Sequence, residues 1–309
     1  MDGWFLRRLL AAVPILFGIT FVAFCLTALS PSDPAEVVIR AHMMVPTPEL
    51  IEETRAELGL DAPFLVRYWR WLTAALAGDL GTSWLTGRPV AREILDALPA
   101  TLALAAAAAL MIAAASVAGG VLAARHEGRA VDRAIRAAIF VSGSVPAFWA
   151  GLLLMWLFSV RLGWLPTSGM EGFSSVILPA STLALAYIGF YTRLIRANLL
   201  EAKSRGFVAY CRAMGMPESR VTRHMLKNSL QSSVTALGMS IPKLIAGAFA
   251  VECIFAWPGL GRLAVASIFG RDFPVIQAYV LLMATLFLFF SLASDAANAA
   301  LDPRTREED

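Results

Sequence analysis

Charge is scarce in this chain, and so are the residue types that usually mark a catalytic or metal centre. Only 16% of its 309 residues are charged, against 58% hydrophobic. A soluble domain is nearer roughly half apolar and about a quarter charged, so the balance excludes an ordinary water-soluble globule. The three histidines, His42, His126 and His224, fall on separate loops, too few and too dispersed for a dense metal site. His42 stands next to Met43 and Met44, which reads as a surface accident rather than a soft-metal contact. The three cysteines, Cys25, Cys211 and Cys253, lie in or beside different apolar runs. They give neither a disulfide framework nor a ligand cluster and read as packing residues. No GxxxxGK[ST] phosphate loop occurs, so ATP is not expected to bind here by that device. No Ser/His/Asp set or carboxylate pair stands at a credible spacing. No catalytic, cofactor-binding or metal residues are therefore expected. No internal repeat is visible, which weakens a carrier built from paired halves.

What the chain has instead is a series of uncharged apolar runs of about twenty residues, the length that spans a bilayer. The predicted class is all-α, a polytopic membrane protein with one domain over residues 1–309. Arg7 and Arg8 before an apolar run resemble the start of a signal peptide. The run Leu9–Leu29 is longer than a signal core and lacks a small-residue cleavage site, so it reads as the first span. The other five are Leu98–Ala124, Ala137–Val160, Val176–Thr192, Leu230–Trp257 and Val275–Ser294. A long extramembrane segment, 31–97, holds six arginines and ten acidic residues. Within it Glu49–Leu58 reads as a surface helix. Tyr68, Trp69, Trp71 and Trp84 suit the membrane interface, where amphipathic rings collect. The segment Pro258–Pro274 re-enters or skims the membrane.

Topology follows from lysine and arginine in the short loops. The N-terminal stub has two, 125–136 has four, 193–228 has eight and the tail has two, whereas 161–175 has one and 258–274 has two. Six spans with both termini cytoplasmic fit this alternation. Segment 31–97 is then periplasmic, and 193–228 is a cytoplasmic loop.

Ionisable residues inside a span are costly and usually face a cavity or a partner. The fifth span has two, Lys243 and Glu252. Nine residues place them about 13 Å apart along a helix and half a turn out of phase, so they cannot pair with each other. Lys243 follows Pro242 deep in the run and is a candidate for the substrate path, meeting an anionic or carboxylate-bearing cargo. A structural ion pair with another span or subunit is the alternative. Glu252 is a candidate for an outer gate. Asp295 reads as an interfacial cap.

The loop 193–228 carries Arg193, Arg196, Lys203, Arg205, Arg212, Arg220, Arg223 and Lys227 against only Glu201 and Glu218. Inside it, Phe207, Tyr210, Cys211 and Met214 fall on one face of a short helix that ends at Gly215. Such a helix, too short to span, suits a groove on a partner protein. A helix on anionic lipid, or charge that serves topology alone, remains open beside it.

The segment from Phe207 through RAMG to RHMLKNSL resembles the cytoplasmic signature of ABC-importer permeases. In these a short coupling helix ends at a glycine, here Gly215. The usual leading glutamate is replaced, and Ala209, Tyr210 and Cys211 stand there, as in the peptide branch. The later Leu-Pro is Lys227-Asn228. LGLDAPFLVRYWRWL, GDLGTSW, LPATLALA, SVPAFWAGLLL, IFAWPGLGRLAVASIFGRDFPVIQ and NAALDPR resemble the dipeptide, oligopeptide and nickel permease family over nearly the whole chain. The FAWPGLGR to RDFPVIQ block and NAALDPR look most like the nickel permease.

The resemblance implies a type I importer permease fold in a bacterial inner membrane. It also implies a non-enzyme that forms half of a pore with a second, similar permease. Two ATPase subunits would use the ATP, and a periplasmic binding protein would deliver the cargo. The lipid bilayer is the remaining partner, with no nucleic acid. Gly206, Phe207, Tyr210, Cys211, Arg212, Met214 and Gly215 become the expected ATPase-coupling residues. Nickel, passing as a chelate with carboxylate ligands, is the expected cargo, with di- or oligopeptide as the alternative. An ion-gradient-driven carrier is the competing reading from another class.

Overall fold

The computed structural model describes the backbone of residues 2–301 and the side chains in that range except those of 2–9, 228–232, 234–235 and 294–301. Asp295 and the side chains of the NAALDPR block therefore lie outside the described residues. Among the described residues regular structure is helical, apart from one isolated β-bridge between Thr82 and Pro89. The chain divides into two compact units, residues 1–100 with 258–292 and residues 101–257 with 293–309.

In the first unit, helix α1 (Asp2–Ala28) stops just ahead of the predicted Ser-Pro-Ser-Asp-Pro breaker. The breaker then starts the next helix. The Asp33 carboxylate accepts from Ala35 N at 3.0 Å and caps α2 (Pro34–Ala41). Thr47 caps α3 (Pro48–Glu57), the predicted surface helix, with proline in its first turn where no donor is lost. Helix α4 (Phe64–Leu76) carries most of the predicted aromatic cluster. Tyr68 is buried edge-on against Phe17, Phe21 and Phe24 of α1, and its hydroxyl lies 3.0 Å from Thr20 Oγ1. Trp84 belongs elsewhere and meets Phe273 at the start of the last helix.

That last helix, α13 (Phe273–Leu301), and the short apolar α12 (Leu260–Gly270) close the unit around Val90, Ile94 and Ala97 of α5 (Val90–Arg125). A polar clasp holds the Ser83–Leu85 loop. The buried Asp272 carboxylate accepts from Ser83 Oγ, from Trp84 N at 3.1 Å and from Leu85 N at 3.4 Å.

Among the described residues the second unit holds the rest of α5 and the helices that follow it up to residue 257. The predicted third span is not one straight helix. Val145 is extended ahead of Pro146, as a residue before proline prefers. The chain bends by 105° there, between α6 (Ala130–Ser144) and α7 (Ala147–Leu154), which continues as a π-helical turn over Met155–Arg161. The predicted fourth span is longer than expected. Helix α8 runs Phe173–Lys203 and takes in Arg193, Arg196 and Lys203, which the charge pattern assigns to the loop 193–228. From Arg193 to Lys203 the residues are mostly strong helix formers, and no glycine or proline intervenes, so polarity alone does not stop the helix.

The predicted fifth span is two helices, α10 (Glu218–Met239) and α11 (Ile241–Ile254), broken at Ser240. Ser240 N turns to Leu237 O and leaves the Ala236 carbonyl, which the Tyr191 hydroxyl takes at 2.9 Å. Ser240 Oγ in turn donates to Tyr191 Oη at 2.6 Å, so the break leaves that carbonyl paired.

Among the described residues four helices are long and apolar enough to cross a membrane: α1 over Leu10–Ala28, α5, α8, and α13 over Phe273–Ala293. The bent α6–α7 pair makes a fifth if it counts as one span.

Candidate functional site

The helix that the resemblance assigns to coupling is α9, Gly206–Ala213. Its boundaries follow from its sequence. Arg205 is extended, so α8 and α9 are separated by a two-residue link. At the other end Gly215 takes a left-handed φ of +72°. Gly215 N bonds Arg212 O at 2.9 Å, and Met216 N bonds Cys211 O at 3.2 Å. This pair of bonds is the Schellman ending, which needs glycine or a residue tolerant of φ > 0 at that position. Pro217 then opens α10.

The predicted stripe splits. Val208, which was not on it, is fully buried. Phe207 and Cys211 pack with it against Ala124 of α5, Ile195, Leu199 and Ala202 of α8, and Val221 and Met225 of α10. Tyr210 and Met214 point the other way and are 65% and 62% exposed. Offsets of 0, 3, 4 and 7 span an arc wide enough to straddle the edge of a packed helix, and the inward face is centred on Val208 rather than Tyr210. Gly206 is exposed at the start, and Arg212 lies beside the turn. Arg212 Nε donates to Glu218 Oε1 at 2.7 Å and ties the end of α9 to the start of α10. That hydrogen bond holds the Glu218 carboxyl below the usual carboxylate range and the Arg212 guanidinium above its ordinary value.

The two ionisable residues of the predicted fifth span lie on opposite sides of α11, as their spacing required. Lys243 stands in the first turn after the break, not deep in a long helix. It is exposed and makes no ion pair among the described residues. Pro242 sits in the same turn, and the carbonyl that needed a new partner is that of Ala236. Glu252 is fully buried and accepts from Thr101 Oγ1 at 2.7 Å. Among the described residues no group of three His, Cys, Asp or Glu side chains is placed to hold a metal ion.

Two polar features are not evident from the sequence composition. Tyr191 lies inside the run Val176–Thr192, which composition marks only as an apolar span. Asp132 was one charge in a basic loop, yet it is buried and receives two parallel hydrogen bonds from Arg196. Periodicity could have exposed the second. Asp132 and Ile139 are seven residues apart on α6, which places the carboxylate on the apolar face of its helix.

Comparison with known proteins agrees with this architecture. Residues 115–307 match the family described as binding-protein-dependent transport system inner membrane component, and residues 1–105 match its N-terminal companion. The metal-staphylopine import system permease CntB of Staphylococcus aureus is 40% identical over 308 residues, covering 99% of both chains. The oligopeptide permease AppB of Bacillus subtilis is 36% identical, over 98% of this chain and 99% of that one. The glutathione permease GsiC of Escherichia coli is 37% identical, over 99% of both. In fold, a chain of the inward-facing MetNI methionine ABC transporter superposes with a TM-score of 0.57 at 19% identity, over 68% of this chain and 96% of that one. This is a multi-pass inner-membrane protein. The chain belongs to the family of inner-membrane permease components of binding-protein-dependent ABC importers.

Proposed function

We propose that the chain forms half of the pore of an ATP-driven importer whose cargo is nickel carried as a chelate. It pairs with a second permease, takes cargo from a periplasmic binding protein, and docks an ATPase subunit on α9. It binds no cofactor and is not itself an enzyme. The α10–α11 pair serves as the sixth span. With it, both termini and 193–228 lie in the cytoplasm, and 31–97 lies in the periplasm. The observation that carries the coupling role is the outward placement of Tyr210 and Met214 on a helix otherwise fixed to its own core. Exposed aromatic and methionine side chains on a rigid mount are the chemistry of a docking contact. The similarity to a metal-staphylopine permease supports a metal cargo that travels with a companion molecule. Lys243, exposed and without an ion pair among the described residues, is the candidate contact for the chelate's carboxylates.

A second reading, import of a di- or oligopeptide, rests on the similarity to AppB and GsiC at 36% and 37% identity. Reconstitution separates the two. The chain is assembled with a second permease, two ATPase subunits and the binding protein in proteoliposomes. ATP-dependent uptake is expected for radiolabelled nickel supplied with citrate, and Lys243→Met should reduce it. Undiminished uptake of bare nickel would count against the chelate. Uptake of labelled dipeptide alone would favour the second reading. Uptake that ignores ATP and collapses with the proton gradient would indicate a carrier.

A further inference from the structure

Helix α6 packs along α8, and α7, turned 105° from α6, meets the same face of α8 further on. Three positions on α8, Thr182, Gly189 and Arg196, are spaced seven apart and face Gly151, Ile139 and Asp132 in turn. On α6 the partners Asp132 and Ile139 are also seven apart. Seven residues are two helical turns, so each set lies on one face with little drift.

The first two contacts are steric. A Cβ at Gly189 would stand 2.8 Å from Ile139 Cγ2, and one at Gly151 would stand 2.8 Å from Thr182 Cγ2. They set how closely the helices approach. Apolar contact is non-directional and resists sliding only through shape.

The third contact is directional. Arg196 Nε donates to Asp132 Oδ1 at 2.8 Å, and Nη2 donates to Oδ2 at 2.9 Å. Gly128 N adds a bond to Oδ2 at 3.0 Å, and Arg136 stands 3.5 Å away. A two-pronged guanidinium–carboxylate pair fixes angle as well as distance. A buried ion pair is weak evidence for stability, and its best-attested use is to set register.

Helix α9 is bound to the same structure. Only Ser204 and Arg205 separate it from α8, and Ser204 Oγ donates back to Glu201 O at 2.7 Å at the end of α8. Its inner face shares one apolar cluster with the ends of α5, α8 and α10. The α5–α6 turn is tied to α8 a second time by Lys203 and Glu127 at 2.8 Å. Displacement of α9 therefore displaces the end of α8 that carries Arg196.

We propose that the Asp132–Arg196 pair is a positioning contact that keeps α6 in register with α8, so that movement of α9 is delivered to the bent α6–α7 element. The inference rests on α9 being the ATPase contact. Neither residue touches cargo or nucleotide; both act through the helices they lock.

The test uses the full complex in proteoliposomes, with activities normalised to assembled complex and the readout being ATP hydrolysed per cargo imported. Asp132→Asn weakens the pair. Arg196→Lys keeps the charge but loses the two-pronged geometry. The exchanged pair, Asp132→Arg with Arg196→Asp, restores opposite charges. The single variants are expected to lower uptake about tenfold while hydrolysis stays within about twofold, which raises the ratio. The exchanged pair is expected to recover part of it. An unchanged ratio in both single variants overturns the proposal, whether activities hold or fall together. Failure of all three to assemble makes the pair a folding element and also overturns it. Tyr210→Asp with Met214→Asp runs in parallel. If that variant uncouples and Asp132→Asn does not, only the register proposal fails. If it does not uncouple, the reading of α9 fails with it.

Discussion

Two short stretches outside the long helices use opposite chemistry. Around Asp272 the polar contacts are turned inward, on the buried Asp272 and Ser83 side chains. One buried carboxylate holds a hydroxyl and two backbone N–H groups of the Ser83–Leu85 loop, and Gly270 lies against Leu85 so closely that a Cβ would stand 2.3 Å from its Cδ1. Around α9 the helix buries one side and leaves Tyr210 and Met214 outside. The first stretch has the Asp272 carboxylate paired within its own unit. The second is packed inwardly and open outwardly, at Tyr210 and Met214. Both come from motifs that resemble the same family, so a family-like motif does not by itself say whether a segment holds the fold or meets a partner. The direction of its side chains does.

The sharpest way to break the contrast is Asp272→Ala. It strands three donors, of which the Ser83 hydroxyl is buried and the Trp84 and Leu85 N–H groups are partly buried, at up to roughly 1–3 kcal/mol each if none finds a new partner. A fall in membrane yield and in the melting temperature of the purified complex is expected. A wild-type melting curve would mean that the clasp holds nothing.

Val208→Ala comes next, with an expected loss of about 1–3 kcal/mol as the α9 core opens a cavity. The outward pair should behave differently. Tyr210→Asp with Met214→Asp is expected to leave the melting curve within about 0.5 kcal/mol of wild type, the range for surface changes. It should also reduce co-purification of the ATPase. A stability loss equal to that of Val208→Ala would remove the distinction between the two faces.

Gly215→Ala lies between these tests. Space around Gly215 is open, so the cost is backbone alone, about 1–2 kcal/mol for a left-handed non-glycine residue. Fraying of the end of α9, seen as faster amide exchange at 211–216, is the expected readout.

The smallest effect is expected at Arg212–Glu218, which is exposed. The folded-state carboxyl titrates lower than it would unfolded. Its contribution is therefore present above the ordinary carboxylate range and is lost as pH falls through the folded value. Between about pH 6 and 8, Glu218→Gln and wild type should differ by a constant small amount that salt reduces. A difference that changes across that interval would place another titrating group at the turn.

The class, the long apolar helices, the surface helix at 48–57 and the glycine ending of α9 were legible because each is written locally. Apolar run length, a capping threonine and a left-handed position are properties of neighbouring residues. What was not legible depended on partners far along the chain. Whether Phe207 or Tyr210 faced inward was decided by Leu199 and Val221 and not by the spacing within α9. The break at Ser240 inside the predicted fifth span was not legible, because the Ala236 carbonyl it releases is taken by the hydroxyl of Tyr191, 45 residues earlier. The bend at Pro146 was visible as a proline, but proline also stands inside α1, α5 and α8 without ending them.

The cluster beneath α9 also has an order of assembly. Its walls come from α8, made before it, and from Val221 and Met225 of α10, made after it. During synthesis α9 emerges with half of its seat missing and gains the other half only when the first two turns of α10 have followed. The surface offered by Tyr210 and Met214 is thus not set until the chain has passed residue 225. If α9 is the ATPase contact proposed above, the ATPase subunit meets permease in which the core beneath α9 is already closed.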